Sequence, residues 1–321
     1  MHRAVKRKIG APMKKQTIST KGKFFVASML GIGALMSSQA SFGLTFVLPH
    51  NGNIIGNLQT ATVGHGESLS TIGRRYDMGG YEMVEANPGV DYSNPRPGTK
   101  LVIPSRFILP EGPRKGIVIN LAEMRLYYYH PDGVHVSTFP VGVGQEGWNT
   151  PLGTTQVTTK RKHPTWNVPD SIMANHEAHG QPIEKVWAPG PNNPLGDYAM
   201  NLGFKNIVIH GSPYPKGVGV RSSHGCIRML NEDVEQLFGM VSIGTPVSII
   251  HQPTKIGRVD NKLFLEAHVP ISHSSEYSGS KSVGDLLHKA ANGGKYTVEW
   301  REIEKIQNRA NGYPAPIGSL F

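Results

Sequence analysis

The sequence predicts an α+β protein in which a small βααβ unit is followed by a mostly β domain with one helix after its single cysteine. Two observations support this fold class. Between strand-like segments near residues 60 and 101, apolar residues recur at helical spacing in one short stretch, and a second short helix is bounded by Gly- and Pro-containing breaks. The region after residue 114 is rich in β-branched and aromatic residues separated by Gly- and Pro-containing turns. Such residues favour strands because they pack well on a pleated surface.

The composition places the chain among globular proteins. Its 321 residues suffice for two or three domains with real cores. A single cysteine excludes a disulfide scaffold or a cysteine-rich zinc protein. The formal charge of +10 comes mostly from residues 1–40, which hold eight basic and no acidic residues, whereas the remaining 25 basic and 23 acidic residues nearly cancel. Nucleic acid is therefore not an expected partner.

Residues 1–40 predict a signal peptide. A basic stretch precedes the apolar run Phe24–Met36 and a group of small residues, and cleavage is expected after Ala40, with Gly43 as the alternative. Met13 is an alternative start. An uncleaved anchor is the other interpretation, although thirteen residues are short for a bilayer span. We expect the mature chain to act outside the cytoplasm, with no stable membrane span after cleavage.

Residues 41–59 form a leader segment, and residues 60–105 form the predicted βααβ unit. Ser68 is a suitable cap for a first helix with one apolar stripe, and a second short helix is expected at 81–86. A Pro-Gly turn then leads into a strand at 101–103.

Three strings within this unit resemble a LysM domain: Gly66–Ile72, Asn87–Val90 and Pro97–Pro104. The resemblance implies binding to glycans that contain N-acetylglucosamine, such as peptidoglycan. The alternative is a spacer that binds nothing, because a fold does not fix a function.

Residues 106–113 are expected to be a linker, residues 114–252 the mostly β domain, and residues 253–321 a C-terminal extension of unknown role. Within the β domain, the proline-rich stretch 163–193 shows little alternation. We interpret it as an irregular segment that is either a substrate-covering flap or a flexible insertion. In the extension, residues 272–282 are expected to be flexible. Residues 297–308 are expected to form a charged helix that packs through Val298, Ile303 and Ile306.

The single cysteine lies in a pattern that suits nucleophilic catalysis. A short apolar strand ends at His210, and Cys226 follows a Gly- and Pro-containing loop before a helix with Asn231 as its expected cap. A free thiol needs a base or a cationic neighbour to become a thiolate. His210 can accept the thiol proton and return it to a leaving amine, and Gly225 leaves room for backbone amides to face an oxyanion.

Two other interpretations of Cys226 are open. It could be a small buried apolar residue, as most free cysteines are, although an exported unpaired thiol is at risk of oxidation. A metal site is disfavoured because His176 and His179 have ligand spacing but no obvious acidic partner. We therefore expect no metal and no cofactor. The histidines considered for a metal site are His163, His176, His179, His210 and His224.

The string around the cysteine resembles a known signature. His210-Gly211, a loop, and then Ser223-His224-Gly225-Cys226-Ile227-Arg228 are similar to the motif of the YkuD-type L,D-transpeptidases, which are bacterial cysteine acyltransferases. Supporting similarities lie at 149–153, 164–166 and 191–196. Together with the LysM-like unit, the chain resembles the periplasmic subgroup called ErfK/YbiS/YcfS/YnhG.

The resemblance implies a role for each residue of the motif. Cys226 would be the nucleophile, and His210 the general base and acid. The Gly211 carbonyl would orient the imidazole, while His224 and Ser223 would shape the site.

Three further residues receive roles by the same resemblance. The Gly225 amide, with that of Cys226, would form the oxyanion hole. Trp166 and Arg228 would contact substrate. Many family members carry Asn at the position of Arg228, which would either bind a stem-peptide carboxylate in bidentate fashion or form a structural ion pair.

The resemblance also implies the reaction and its partners. In the periplasm, Cys226 would attack the meso-diaminopimelate carbonyl of a peptidoglycan tetrapeptide stem and expel D-alanine. The thioester would then pass to the amine of a second stem, to an outer-membrane lipoprotein lysine, or to water, as in an L,D-carboxypeptidase. Carbapenems would acylate the same thiol. The non-enzymatic alternative is a peptidoglycan-binding wall protein in which only the LysM-like unit functions.

Overall fold

The computed structural model describes residues 43–271 and 281–321. The predicted signal peptide and most of the polar stretch at 272–282 lie outside the described residues. No helix in the described part of the chain has the length and apolar character needed to cross a membrane.

The secondary structure alternates many short strands with a few helices. The strands are β1 (Leu44–Val47), β2 (Ile54–Gly56), β3 (Gln59–Thr62), β4 (Lys100–Ile103), β5 (Arg106–Ile108), β6 (Gly116–Asn120), β7 (Arg125–Tyr129), β8 (His135–Pro140), β9 (Val143–Gly144), β10 (Gly153–Lys162), β11 (Trp166–Asn167), β12 (Val186–Trp187), β13 (Tyr198–Leu202), β14 (Val208–His210), β15 (Arg221–Ser223), β16 (Ile227–Arg228), β17 (Pro246–Ile250), β18 (Thr254–Val259), β19 (Lys262–Ala267), β20 (Tyr296–Val298) and β21 (Ala315–Leu320). The helices are α1 (Leu69–Arg75), α2 (Gly80–Ala86), α3 (Asp170–Ala178), α4 (Asn231–Met240), α5 (Val283–Ala291) and α6 (Trp300–Arg309), with a 3-10 turn at Pro215–Gly217.

A nine-stranded sheet forms the mostly β domain, in the order β1-β8-β7-β6-β17-β10-β13-β14-β16. Most neighbours are antiparallel, but β17 pairs in parallel with β6 and β14 pairs in parallel with β16. The apolar residues of β6, β7 and β17 pack with α4 into one core. The predicted α+β class, with one helix after the cysteine, is confirmed.

The βααβ unit has the predicted order, with β3 and β4 paired and the two helices packed on them. Ser68 caps α1, as expected, by accepting a hydrogen bond from the Thr71 amide, while Thr71 caps the Ser68 amide in return. Leu69 and Ile72 are fully buried in the core of the unit.

The leader and the expected linker contain strands rather than only connecting chain. β1 pairs with β8 and so joins the large sheet, and β2 pairs with β5 within the 106–113 segment. The physical reason is apolar burial, since Phe107 and Ile108 are enclosed. The prolines that bound this segment had suggested a linker.

Two other expectations are corrected. The stretch 163–193 is not irregular throughout, because β11 pairs with β12 and α3 lies between them. The cap of α4 is Leu230 rather than Asn231, which is the first helical residue. Leu230 is buried and has extended backbone angles, so the helix begins where an apolar side chain is anchored rather than at a capping amide.

The C-terminal extension folds as a sheet in the order β18-β19-β21-β20, covered by α5 and α6. The predicted charged helix is α6, and its Ile303 and Ile306 are buried as expected. Val298 instead belongs to strand β20.

A fully buried arginine joins the βααβ unit to the large sheet. Arg125 is 0% exposed, and its Nε lies 2.7 Å from Glu82 Oε1. Its Nη2 donates to the Asp77 backbone carbonyl at 2.6 Å and to Glu82 Oε2 at 2.9 Å. Asp77 and Glu82 both come from the α1–α2 region, so the guanidinium is satisfied only when this unit is in place.

A second buried network joins the C-terminal sheet to both other parts. Lys255 Nζ lies 2.8 Å from Glu123 Oε2 and 2.6 Å from Glu266 Oε1. His268 bridges Glu266 at 2.8 Å and Glu85 of α2 at 2.9 Å. Burial alone lowers the pKa of His268, but the two carboxylates outweigh it and raise the pKa to about 10. The imidazolium is therefore charged at neutral pH.

We expect Arg125→Met to lower the free energy of unfolding by about 3–5 kcal/mol, because it leaves two carboxylates buried without their cation. Urea unfolding measures this loss. The matched control is Arg75→Met, which removes an arginine from an exposed pair with Glu67 and should cost no more than about 1 kcal/mol. Equal losses in the two variants would contradict this account.

Candidate active site

The parallel pairing of β14 with β16 brings the histidine and the cysteine together. Ile209 lies opposite Ile227 and His210 opposite Arg228, so Cys226, which directly precedes β16, lies beside the start of β14. The thiol donates to the Asn206 carbonyl, with Sγ and O 3.4 Å apart. Cys226 is half-buried.

A tight turn presents the thiol. Ser223 Oγ donates to the Cys226 carbonyl at 2.6 Å, and the Gly225 amide donates to Ser223 Oγ at 3.2 Å. Gly225 has a φ of +97°, which glycine adopts without strain. Thr150 Oγ1 donates to the Gly225 carbonyl at 2.9 Å and holds the turn from the other side. The amide expected to serve an oxyanion is thus engaged by Ser223 here through a long bond.

The Gly211 carbonyl fixes the tautomer of His210. His210 is 4% exposed, and its Nδ1 lies 2.6 Å from the Gly211 carbonyl oxygen. A carbonyl only accepts, so Nδ1 carries the proton and Nε2 holds a lone pair. Burial, together with the charge of Arg228, lowers the pKa of His210 to about 4 despite the opposing effect of the Gly211 bond. The imidazole is neutral at physiological pH.

Burial raises the pKa of the Cys226 thiol above its ordinary value of 9.0, although a hydrogen bond from the Val208 backbone and the charge of Arg228 act in the opposite direction. The thiol is therefore protonated at neutral pH while the imidazole is unprotonated. In the resting protein both Cys226 and His210 are therefore neutral, and the unprotonated Nε2 of His210 can accept the proton of the thiol.

A cleft of about 300 Å³ opens over Cys226. Strand β11 and the start of α3 line this cleft, so the first part of the 163–193 stretch borders the same cleft as the thiol. His224 packs edge-on against Trp148, with ring centroids 4.5 Å apart. The sequence-predicted residues that line the cleft are Trp166, His210, Ser223, His224, Cys226 and Arg228. Gly211 and Gly225 contribute through their backbones.

Arg228 has no ion-pair partner among the residues that the structure describes, so the ion pair considered for it is not found. Its Nη1 donates to Ser222 Oγ at 3.1 Å, and its buried Nε has no hydrogen-bond partner. Burial lowers the pKa of Arg228, and the side chain remains a cation in the cleft wall.

Of the five histidines considered for a metal, His210 and His224 line the cleft with Cys226, whereas the other three do not. His163 faces Asp197 on the exposed surface, and the Nδ1 atoms of His176 and His179 bond to backbone carbonyls of their own segment. Within the described residues, three potential ligand side chains converge only at Glu123, Glu266 and His268. Lys255 already bonds both of these carboxylates.

Sequence reasoning missed several residues of the cleft. Trp148, which lines the cleft, directly precedes the noted string at 149–153, and Thr150, which holds the Cys226 turn, lies within it, but neither received a role. Arg161 lies on β10, where alternation alone does not distinguish a cleft residue from a surface residue. The other cleft residues without a predicted role include Ile172, Asn201 and Asn206.

Comparison with known proteins agrees with these features. The family model for the YkuD L,D-transpeptidase catalytic domain matches residues 114–249, and the LysM domain model matches residues 61–104. The probable L,D-transpeptidase ErfK/SrfK of Escherichia coli strain K12 is 40% identical over 295 residues, covering 89% of this chain and 94% of the relative. The probable L,D-transpeptidase YbiS of the same strain is 40% identical over 302 residues, covering 91% and 97%.

A solved structure is also similar. The catalytic domain from the E. faecium L,D-transpeptidase is 25% identical and covers 42% of this chain and 96% of its own length, with a TM-score of 0.32.

The fold and the matched domains define a transferase in which a LysM domain precedes a YkuD catalytic domain. Its similarity to ErfK/SrfK and YbiS extends over nearly the whole length of both chains, and the protein belongs to the L,D-transpeptidase family.

We expect alkylation of Cys226 by iodoacetamide to rise about tenfold per pH unit between about pH 6 and 9, because only the thiolate reacts. The single cysteine allows intact-mass measurement of the rate. His210→Gln should leave the rate little changed, since a neutral imidazole does not stabilise a thiolate. A rate that is already maximal near pH 5–6, and is lost in the variant, would instead indicate a thiolate–imidazolium pair.

Proposed function

We propose that this chain is a periplasmic L,D-transpeptidase that acylates Cys226 with a peptidoglycan tetrapeptide stem and transfers it to an amine. The observation that carries the proposal is the neutral His210, held in one tautomer by Gly211, beside the only thiol of the chain in a cleft whose described lining residues include no acid. Such a pair can move one proton in each direction during acyl transfer.

The proposed reaction has two balanced steps. The Cys226 sulfur attacks the third-residue carbonyl while its proton passes to His210 Nε2, and the C–N bond to D-alanine breaks as His210 returns that proton to the leaving amine. The acceptor amine then attacks the thioester, gives its proton to His210, and the proton returns to the sulfur as the thioester bond breaks. A peptide bond to the acceptor results.

In this proposal Arg228 binds the terminal carboxylate of D-alanine. The side chain is a partly buried cation whose Nε lacks a partner, and it acts electrostatically on both Cys226 and His210. A bidentate contact fits the guanidinium, and the carboxylate lies one residue beyond the bond that breaks.

The remaining motif residues assist in the same proposal. The Cys226 and Gly225 amides stabilise the oxyanion, and Gly225 releases its 3.2 Å bond to Ser223 when the oxyanion forms. His224 and Trp166 line the cleft and shape the space that the substrate occupies.

The LysM domain in this proposal holds the enzyme on peptidoglycan glycan, in keeping with the family matched at 61–104. The predicted signal peptide at 1–40 supports the periplasm as its location. The acceptor is a second stem, an outer-membrane lipoprotein lysine, or water, and these give different products from one acyl-enzyme. A non-catalytic wall-binding protein is the competing function.

The test is mass spectrometry of products from the mature protein and tetrapeptide muropeptides, alone and with a lysine-containing lipoprotein peptide. We expect D-alanine release with a thioester adduct on the wild type, and neither with Cys226→Ala. Cross-linked dimers, a lysine adduct or tripeptides identify the acceptor. Glycan binding without D-alanine release under any condition would contradict the transpeptidase proposal and support the non-catalytic wall-binding function.

His210→Gln should lower the rate of D-alanine release by about 10²–10⁴-fold, because the proton acceptor is lost. His135→Gln is the matched control, since His135 is exposed and begins β8, near the opposite edge of the sheet. Retained activity in His210→Gln would exclude this residue as the base.

A further inference from the structure

Arg161 is a second cation of the catalytic cleft that has no assigned role. It lies near the end of β10, opposite Ala199 of β13. Its Nη1 donates to the Thr165 carbonyl at 3.2 Å and its Nη2 to Asn201 Oδ1 at 3.1 Å. Its Nε is buried and has no hydrogen-bond partner among the described residues. Two neutral oxygens thus hold the guanidinium in place but do not balance its charge.

The cleft is short of negative charge. Arg161 and Arg228 both line the cleft, but none of the described lining residues is acidic. The acidic side chains near β13 are occupied elsewhere, because Glu235 accepts from the Tyr198 hydroxyl at 2.6 Å and Asp197 faces His163. A guanidinium removed from water is normally paired with an acid, and the Nε atoms of Arg161 and Arg228 are both buried without a partner among the described residues. Two unpaired guanidinium groups in one cleft therefore match a ligand with two carboxylates.

The two arginines differ in their distance from the chemistry. Arg228 lies directly opposite His210 in the β14–β16 pairing, whereas Arg161 lies on β10, with β13 between it and His210. Arg161 also bonds to Thr165, beside Trp166, and so lies towards the β11 wall. A carboxylate bound there belongs to the far end of a donor side chain rather than to the leaving residue.

We propose that Arg161 binds a carboxylate on the side chain of the donor's third residue, and so selects a diamino dicarboxylic acid over a diamino monocarboxylic acid such as lysine. This inference rests on the proposed transpeptidase function. Arg161 and Arg228 then form two separate carboxylate sites on either side of the reacting carbonyl.

The test compares three tetrapeptide donors, with meso-diaminopimelate, its side-chain amide, or lysine at the third position. Acyl-enzyme formation by intact mass and D-alanine release give kcat and KM. The wild type should favour the diaminopimelate donor over the other two by about 10- to 100-fold in kcat/KM, the worth of a charge-assisted hydrogen bond. In Arg161→Gln this preference should fall to near unity, because kcat/KM falls for the diaminopimelate donor and stays unchanged for the other two.

Two further variants sharpen the test. Lys162→Gln removes a cation from the next position of β10, whose side chain is exposed and does not line the cleft, and should keep the wild-type preference. Arg161→Lys keeps the charge without the fork geometry and should retain part of the preference. In contrast, Arg228→Gln should weaken all three donors alike, because each carries the terminal carboxylate.

The outcomes separate this inference from the function on which it rests. If the wild type uses all three donors equally well, the role of Arg161 is wrong, whatever the folding of the variants, and the transpeptidase function stands. An unchanged preference in folded Arg161→Gln overturns it as well. If the wild type forms no acyl-enzyme with any donor, both proposals fail.

Discussion

The burial of the Arg125 guanidinium is the interaction on which the arrangement of this chain depends. A cation that is 0% exposed is tolerated only with its charge balanced and its donors satisfied, and Asp77 and Glu82 of the LysM domain supply both. The LysM domain is therefore bound to the catalytic sheet as part of one folded body. The Lys255 and His268 network extends the same principle to the C-terminal sheet.

This attachment reaches the catalytic motif itself. A Cβ on Gly79 would lie 2.8 Å from the Gly219 Cα, and the Tyr81 amide donates to the Gly219 carbonyl at 2.9 Å. Gly219 closely precedes β15, which ends at Ser223, the residue that holds the Cys226 turn. The start of α2 thus packs directly on the loop that leads to the nucleophile. Glycan capture and acyl transfer, as proposed, would therefore use a single compact unit.

The sequence was informative where local patterns determine structure. Ser68 and the apolar stripe after it predicted α1, and the motif from His210 to Arg228 predicted which side chains meet at the cleft. It failed where the partner is distant in the chain. Nothing near Phe107 indicates that it pairs with residues before the LysM domain, and nothing near Arg161 indicates that its strand borders Cys226. Long-range pairing, rather than propensity, determines both positions.

The charges of the cleft connect substrate recognition with activation. In the resting protein, Arg228 disfavours protonation of His210, and burial keeps the thiol protonated. A protonated thiol reacts slowly with oxidants, which suits an unpaired cysteine in the periplasmic location that we propose. When a donor carboxylate neutralises Arg228, as we propose, the positive charge beside His210 is balanced and the imidazole can hold the proton of the thiol. A donor that lacks that carboxylate would leave the pKa of His210 low, and the imidazole would be a weak base. The ligand that fits the cleft is therefore also the one that neutralises its positive charge.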